Sequence, residues 1–447
     1  MDFTGKKIVI IGMGKTGIAT ARFLGKQAAR VTVTDEKPFD QWSGEFKQIA
    51  QEKWLEIGNY NARILTGACI VIPSPGVPPD NVLLVEALKK NIPIISEIEL
   101  AYLVLKVPLI AVTGTNGKTT TTTLLGEILR CSGKKVFVGG NIGTPLIKYV
   151  DGSQKEDFVV AEISSFQLQW IKKFRPFIAV LLNITCDHIN YHGSFEEYRR
   201  IKTKVFANQT KADFAILNAT DPEQEDIDKI INAQVVKFSS KRVLQKGIFI
   251  KKNSIILRMP GANEEQYPLR IINLPGLHNV ENVMAAVMAA RLCGCSQENT
   301  ITAVSAFHGL SHRIEFAGEK NSVKFYDDSK GTNVGSVVRA LETFAQPVIL
   351  LLGGRDKDGD FESLKPLIAS KTKKVILFGE ARDRIESLIG KDKPVLKETK
   401  LRQAVESAYR SAMSGDVVLL SPGCASFDEF ANYKERGNYF KDVVRNL

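Results

Sequence analysis

One run of residues constrains the fold of this chain more than any other. Residues 109–124 read LIAVTGTNGKTTTTTL, which is an apolar strand, a glycine-rich turn, Lys118, a hydroxyl residue and a helix. In such a unit the backbone N–H groups of the turn and the helix N-terminus together attract phosphate oxygens. The run approximates G-x-x-x-x-G-K-[ST], with Val112 in place of the first glycine. It predicts a nucleotide-phosphate site in an α/β fold, with Lys118 on the phosphates and Thr119 toward Mg²⁺.

Apolar β-branched strands alternate with amphipathic helices along the whole chain, a pattern typical of parallel α/β sheets. A chain of 447 residues has room for about three domains. We predict a Rossmann-like N-terminal domain over 1–95 and a central phosphate-loop domain with a parallel sheet over 96–309. A C-terminal Rossmann-like α/β domain would cover 310–447.

Composition excludes several classes of protein. No apolar run approaches the ~20 residues of a membrane span. The six cysteines are scattered, and only Cys293 and Cys295 are close, which is neither a zinc pattern nor a disulfide framework. The net charge of +11 favours anionic ligands, but no basic run interleaved with aromatic residues indicates a nucleic-acid surface. We therefore expect a cytoplasmic protein with neither membrane insertion nor a nucleic-acid partner. The expected oligomeric state is a monomer.

A second glycine-rich turn lies near the N-terminus. Gly12, Gly14 and Gly17 follow the apolar run KIVII, and Asp35 follows the next strand. This is the spacing of a dinucleotide-binding turn, which normally indicates NAD with the aspartate on a ribose hydroxyl. The same geometry serves any nucleoside diphosphate. A tight turn without a ligand also stays open at this point.

Further candidate residues occur at strand ends and on helices. Glu162 could bind Mg²⁺ at a strand end, although a structural ion pair explains a single carboxylate equally well. His188 follows the strand FIAVLLNIT, and a structural histidine is the commoner case. Lys202 would on its own be one lysine on a basic helix. Asn279 and Asn282 are three residues apart and would share one face near the start of a helix.

Three polar loops follow apolar strands in the last third of the chain. They read DDSKGTN at 327–333, GGRDK at 353–357 and SPGCASFDEF at 421–430. Each mixes charged groups with glycines or hydroxyl groups. They could bind a nucleotide, or they could be plain polar turns.

Taken in order, these motifs resemble the Mur ligase family. The resemblance covers nearly the whole chain and runs through GMGKTG, SPG, GTNGKTT, GGNIG, EISSFQL, DH, YRRIK, GLHNVEN, HR, DDSKGTN, GGRDK and SPGCASFDEF. It implies ATP-dependent amide-bond formation in peptidoglycan precursor synthesis, with UDP rather than NAD on the N-terminal domain. The phrase EISSFQL, the N-terminal glycine turn and the lack of a D-N-P-R phrase favour the branch that adds D-glutamate to UDP-N-acetylmuramoyl-L-alanine.

The resemblance also implies the site residues. Those for ATP are Gly114, Thr115, Asn116, Gly117, Lys118, Thr119, Thr120, Asn279, Asn282, Arg313, Asp328 and Lys330. Those for the UDP-linked substrate are Gly14, Lys15, Thr16, Asp35, Ser74, Asn141 and His188. Those for D-glutamate are Lys330, Thr332, Lys357, Ser426 and Tyr433. The catalytic set is Lys118, Glu162, His188 and Lys202. Two Mg²⁺ ions would be held by Thr119, Glu162, His188 and Lys202, the last as a carbamate formed with CO₂.

Other functions stay open at this stage. A sibling ligase adding another amino acid and a folylpolyglutamate synthetase are the nearest, and the N-terminal turn with EISSFQL disfavours both. An NAD-dependent oxidoreductase would use the first glycine turn but leaves GTNGKTT unexplained. A non-catalytic nucleotide-binding regulator would bind ATP without amino-acid-dependent turnover.

Overall fold

The computed structural model describes residues 2–37, 39–42, 44–390 and 393–447. The chain divides into two compact units. The first combines Met1–Leu269 with Glu281–Val304, and the second combines Arg270–Val280 with Ser305–Leu447. Two sheets lie in the first unit and one in the second.

Among the described residues, the N-terminal sheet has four parallel strands. They are β1 (Lys7–Ile11), β2 (Arg30–Thr34), β3 (Leu55–Ile57) and β4 (Ile70–Pro73), with helices α1 (Lys15–Lys26), α2 (Gly44–Ile49) and α3 (Val82–Lys89). The strand order is β3-β2-β1-β4. β1 is buried from Ile8 to Ile11, as expected of an apolar strand covered on both faces.

The central sheet has nine strands. Its elements are α4 (Glu97–Val104), β5 (Leu109–Thr113), α5 (Lys118–Cys131), β6 (Val136–Gly140), α6 (Leu146–Val150), β7 (Phe158–Glu162), α7 (Ser165–Leu168), β8 (Ile178–Leu181), α8 (Ile189–His192), α9 (Phe195–Thr203), β9 (Phe214–Asn218), β10 (Gln234–Ser239), β11 (Gly247–Lys251), β12 (Ser254–Arg258) and β13 (Glu265–Pro268). The order is β13-β12-β11-β10-β9-β8-β5-β7-β6. The next helices along the chain are α10 (Leu277–Leu292) and α11 (Gln297–Ala306).

One edge of the central sheet departs from the predicted parallel pattern. β11, β12 and β13 pair antiparallel. Only Lys252 and Asn253 separate β11 from β12, and so short a connection can join only antiparallel strands. Lys252 adopts a positive φ of 54°, which such tight turns require.

The sheet of the second unit carries the three polar loops. Its elements are β14 (Glu315–Lys320), β15 (Val323–Asp327), α12 (Val334–Thr343), β16 (Val348–Gly353), α13 (Lys365–Lys371), β17 (Thr372–Phe378), α14 (Arg382–Ile389), β18 (Val395–Lys397), α15 (Leu401–Ser411), β19 (Val417–Gly423) and α16 (Tyr433–Arg445). The order is β14-β15-β19-β16-β17-β18. Among the strands of this sheet that the structure describes, only β14 and β15 pair antiparallel. Because β15, β19 and β16 are parallel neighbours, the loops that follow them share one edge of the sheet.

The predicted α/β class with three sheets dominated by parallel strands is confirmed. The domain boundaries at 95 and 309 stay a prediction. Within the residues that the structure describes, no helix is both long enough and apolar enough to cross a membrane.

Candidate active site

The turn after β5 has a backbone that only glycine adopts easily. Gly114 has a φ of +147° and Gly117 a φ of +86°. A Cβ on Gly117 would lie 2.1 Å from Asn282 Oδ1, so no larger residue fits without rearrangement. Gly117 is the residue before α5, and first-turn amides have no acceptor inside their own helix. The turn therefore has the form required of the predicted phosphate site.

Two residues that the sequence analysis missed hold this turn in place. Asn183 Oδ1 accepts a hydrogen bond from the Asn116 amide at 2.8 Å, and Asn183 Nδ2 donates to Asn116 O at 3.0 Å. The Thr115 hydroxyl lies 3.0 Å from the Tyr198 hydroxyl. Tyr198 precedes Lys202 by four residues on α9, so helical spacing could have indicated their shared face.

Lys118 and Lys202 meet at a single backbone carbonyl. Lys118 Nζ donates to Gly114 O at 2.9 Å and to Thr115 O at 2.8 Å. Lys202 Nζ donates to the same Gly114 O at 2.8 Å and lies 4.6 Å from the centre of the Tyr198 ring. Burial, followed by the charge of Lys118, lowers the pKa of Lys202 well below its ordinary value of 10.5. The fold thus favours a neutral amine at Lys202, which is not the usual state of a lysine on a basic helix.

Glu162 has one satisfied and one unsatisfied carboxylate oxygen. Oε1 accepts a hydrogen bond from Asn141 Nδ2 at 2.8 Å, and the Asn141 amide donates to Glu162 O at 2.8 Å. Oε2 is buried and has no hydrogen-bond partner among the described residues. A buried carboxylate oxygen is costly without compensation, and Mg²⁺ favours oxygen ligands of this kind. With the Thr119 hydroxyl in the first turn of α5, these residues fit a magnesium site.

His188 and His192 have different environments. His188 has a left-handed backbone with φ 54° and a side chain that is 36% exposed. His192 is buried, with Nε2 2.9 Å from Ser165 Oγ, and burial lowers the pKa of His192 to about 4. His192 is therefore the structural histidine of this region, whereas His188 is accessible to a ligand.

The N-terminal turn is held in place by polar groups that follow two neighbouring strands, β2 and β4. Asp35 accepts hydrogen bonds from the Met13 amide at 2.7 Å and the Lys37 amide at 3.0 Å. Ser74 Oγ donates to Gly12 O at 2.7 Å. These bonds join the ends of β1, β2 and β4 into one edge. The exposed or half-buried residues at the start of α1 are Gly14, Lys15 and Thr16.

The second unit gathers several of the predicted nucleotide and D-glutamate residues. Lys330 Nζ lies 5.4 Å from the centre of the Tyr433 ring. Asp328 is buried and accepts a hydrogen bond from Ser421 Oγ at 2.8 Å. Burial raises the pKa of Asp328 to about 7, although Ser421 and Arg313 lower it. These residues belong to, or contact, the loops after β15 and β19.

Arg436, which the sequence analysis missed, connects two of these loops from beneath. Its guanidinium is buried and donates to Ser329 Oγ and O at 3.0 and 2.8 Å, to Ala425 O at 3.2 Å and to Cys424 O at 3.1 Å. Lys330 and Ser426 are the chain neighbours of these acceptors. No local motif indicates this role. The remaining predicted residues are buried Ser426, half-buried Thr332, exposed Lys357 and buried Asn279, whose Nδ2 donates to Pro275 O at 2.7 Å.

Three family models match most of the chain. Residues 6–96 match the "Mur ligase MurD-like, N-terminal domain" family, 112–290 the "Mur ligase middle domain" and 312–424 the "Mur ligase, glutamate ligase domain". The UDP-N-acetylmuramoylalanine--D-glutamate ligase of Syntrophus aciditrophicus (strain SB) is 54% identical over 447 residues, which are 100% of this chain and 99% of that one.

Solved structures have a similar fold. A pseudomurein peptide ligase type C from Methanothermus fervidus aligns with a TM-score of 0.63 at 20% identity, over 99% of this chain and all of that one. The MurF ligase of Thermotoga maritima in complex with ADP aligns with a TM-score of 0.61 at 17% identity, over 99% of this chain and 96% of that one. At these identities the likeness concerns the fold alone. Together with the full-length sequence match, it leads to one conclusion: this chain belongs to the Mur ligase family.

Proposed function

We propose that the chain is an ATP-dependent ligase that joins D-glutamate to the L-alanine carboxylate of UDP-N-acetylmuramoyl-L-alanine. The observation that carries this proposal is the full-length, 54% identity to a ligase with that name. The phosphate turn with Lys118, Glu162 and Lys202 around it supports the same chemistry.

Lys118 is the main cation for the triphosphate. Two backbone carbonyls hold its ammonium beside the turn, so little reorganisation is needed when phosphate oxygens arrive. The backbone amides in the first turn of α5, which have no acceptor inside the helix, complete the cradle. Cationic groups fixed in advance reduce the repulsion between a carboxylate and a triphosphate and stabilise the charge of the transferring phosphoryl group.

Two Mg²⁺ ions are proposed to bind to Glu162, Thr119, His188 and Lys202. Bound Mg²⁺ would neutralise charge on the phosphate oxygens. Asn141 keeps Glu162 oriented through the hydrogen bond to Oε1, which leaves Oε2 for the metal. The unsatisfied buried oxygen is the feature that supports this assignment.

Lys202 is proposed to carry a carbamate. Its burial favours the neutral amine, and only a neutral amine attacks CO₂. The reaction forms an N–C bond and releases one proton, converting the amine into an anion. An anion at this position suits a cation site, which a protonated lysine does not.

The chemistry proceeds in two steps. First, an oxygen of the L-alanine carboxylate bonds to the γ-phosphorus of ATP while the bond from that phosphorus to ADP breaks, giving an acyl phosphate and ADP. Then the amine nitrogen of D-glutamate bonds to the acyl carbon, phosphate leaves with the electron pair of the C–O bond, and the nitrogen loses one proton.

Residue roles follow the two units. In the first unit, the residues proposed to bind the UDP-linked substrate are Gly14, Lys15, Thr16, Asp35, Ser74, Asn141 and His188, and the residue proposed to bind ATP is Asn282. In the second unit, the residues proposed to bind ATP are Asn279, Arg313, Asp328 and Lys330. Those proposed to bind D-glutamate are Lys330, Thr332, Lys357, Ser426 and Tyr433. We further propose domains at 1–95, 96–309 and 310–447, a monomeric state and a cytoplasmic location, which the scattered cysteines support.

The decisive experiment measures phosphate release from ATP with UDP-N-acetylmuramoyl-L-alanine and a panel of D- and L-amino acids. We expect release with D-glutamate alone. Release with a different amino acid would move the chain to a sibling activity. Absence of release with every amino acid would contradict the ligase proposal and favour a binding role.

A further inference from the structure

Glu97 is a buried carboxylate for which the proposed reaction has no use. It is the first residue of α4, and 1% of its surface is exposed. Oε1 accepts a hydrogen bond from the Ile147 amide at 2.6 Å. Oε2 has no hydrogen-bond partner within the part of the chain that the structure describes. A carboxylate is seldom buried completely unless it has a specific partner. The Ile147 amide is that partner here, which indicates a defined structural role for Glu97.

The partner is a helix that lacks a cap of its own. Ile147 is the second residue of α6, where a backbone amide has no acceptor inside the helix. The residue before α6 is Pro145, whose side chain makes no capping hydrogen bond. Serine, threonine, aspartate or asparagine there would accept one from the second or third amide. Glu97 supplies the acceptor from another helix.

Helix α6 in turn fixes the loop that carries Asn141. The loop over residues 141–145 joins β6 to α6, and the Gly140 amide closes it by donating to Thr144 O at 2.9 Å. At the start of this loop, Asn141 contacts Glu162 through both its backbone and its side chain. A shift at the start of α6 would therefore displace Asn141 from Glu162.

A second route leads from Glu97 to the segment that follows Glu162. Burial raises the pKa of Glu97 to about 7, and the Ile147 amide and the nearby Gln167 side chain lower it. Gln167 Oε1 accepts hydrogen bonds from the amide and the hydroxyl of Ser164, both at 3.0 Å. Ser164 stands between β7 and α7. Glu97 thus lies behind both segments that meet at Glu162.

We propose that Glu97 is a positioning residue for the UDP-linked substrate, because its cap on α6 keeps Asn141 aligned with Glu162. The identity of this substrate rests on the proposed function, whereas the capping contact of Glu97 is a property of the fold. An acceptor atom at residue 97 is required, and its negative charge is not. Glu97→Gln keeps an oxygen for the Ile147 amide, and Glu97→Leu removes it at similar size.

The test compares these two variants with the wild type in steady-state kinetics. We expect Glu97→Leu to raise the KM for UDP-N-acetylmuramoyl-L-alanine about tenfold, the scale of lost support behind metal ligands. Its KM for D-glutamate should change less than twofold, roughly, since that site lies on other loops. Glu97→Gln should resemble the wild type. Hydrogen exchange of peptides covering 141–150 should be faster in Glu97→Leu alone.

A matched control and a rescue sharpen the test. Tyr149 lies on α6, away from its start, and its hydroxyl donates a hydrogen bond to Glu156 Oε2 in the segment beyond the helix. Tyr149→Phe deletes this bond and should not change the KM for the UDP-linked substrate. Pro145→Ser gives α6 a local cap and should restore both exchange and KM in the Glu97→Leu background. If Glu97→Leu alone does not fold, the Glu97→Leu/Pro145→Ser double variant provides the test. Failure of that double variant to fold would contradict the proposal that Glu97 caps α6.

Other outcomes overturn the inference as clearly. Equal rises in KM for all three substrates, or unchanged exchange over 141–150 in Glu97→Leu, would contradict a positioning role. If the wild type shows no D-glutamate-dependent phosphate release, the proposed function is contradicted instead. Hydrogen exchange over 141–150 would still test whether Glu97 caps the start of α6.

Discussion

The two glycine-rich turns of the first unit share a sequence pattern but differ in what their glycines contact. In the N-terminal turn, a Cβ on Gly17 would lie 2.1 Å from Gly12 O, whereas one on Gly14 would have nothing within 4 Å. In the phosphate turn, a Cβ on Gly117 would strike Asn282 of α10. At the start of the helix that follows it, the first turn is therefore open, whereas the second is closed off by another element.

The charges follow the same division. Lys15, the first residue of α1, is exposed. Lys118, the first residue of α5, is half-buried and bound by two carbonyls, and buried Lys202 shares one of them. A strand–glycine–helix signature thus fixes backbone shape alone. The surrounding elements decide whether that shape holds a ligand loosely or builds a preorganised catalytic site.

The largest effect should distinguish the two helix-start lysines. Lys118→Ala should lower kcat/KM by about 10³, since a preorganised cation on the triphosphate is lost. Lys15→Ala, which removes an exposed charge near a helix N-terminus, should raise the KM for the UDP-linked substrate less than about tenfold. Steady-state kinetics on both variants provides the measurement. Comparable losses of kcat/KM in the two variants would contradict the proposed difference between the turns.

The glycines at the two helix starts should differ in stability. Gly117→Ala forces a Cβ against Asn282 Oδ1 at a φ of +86° and should reduce the free energy of unfolding by about 1–3 kcal/mol. Gly14→Ala has a φ of −74° and open space, so its change should stay within about 0.5 kcal/mol. Urea denaturation measures both. A tolerated alanine at 117 would show that the phosphate turn is not enclosed.

Lys202 should respond to added anions. Lys202→Ala should lose activity by about a hundredfold, and acetate or another short carboxylate should restore part of it by replacing the carbamate. Lys204→Ala serves as the matched control, because Lys204 follows α9 and donates to Gln169 O at 2.8 Å. Lack of rescue at any carboxylate concentration would remove the support for a carbamate.

A modest effect should come from the contact between Ser74 and the N-terminal turn. Ser74→Ala removes the hydrogen bond to Gly12 O and should lower the free energy of unfolding by about 1 kcal/mol. Denaturant titration detects a change of this size. A much larger loss would mean that the N-terminal turn depends on its neighbours as heavily as the phosphate turn does.

Local pattern was sufficient to predict the strand–turn–helix units. The run 109–124 gave β5 and the start of α5, and the polar loops do follow β15, β16 and β19. Asn279 and Asn282 were predicted to lie near the start of a helix, and α10 begins at Leu277. These features depend on hydrophobic period and glycine geometry, which neighbouring residues determine.

The supporting contacts could not be predicted in this way. Asn183 reaches Asn116 across 67 residues, Glu97 reaches Ile147 across 50, and Arg436 reaches Ser329 across 107. Each contact depends on which elements pack side by side, and a single sequence carries no local signal of that choice. The capping box from Ser164 to Gln167 is a local signature that the sequence analysis overlooked.

The carbonyl of Gly114, which accepts hydrogen bonds from both Lys118 and Lys202, gives this site a built-in spectroscopic reporter. The stretching frequency of a carbonyl depends on the charge and number of its donors. A carbon-13 label at that one peptide group would therefore register a change of charge at either lysine. Infrared difference spectra could then follow CO₂ uptake and nucleotide binding separately, before any turnover.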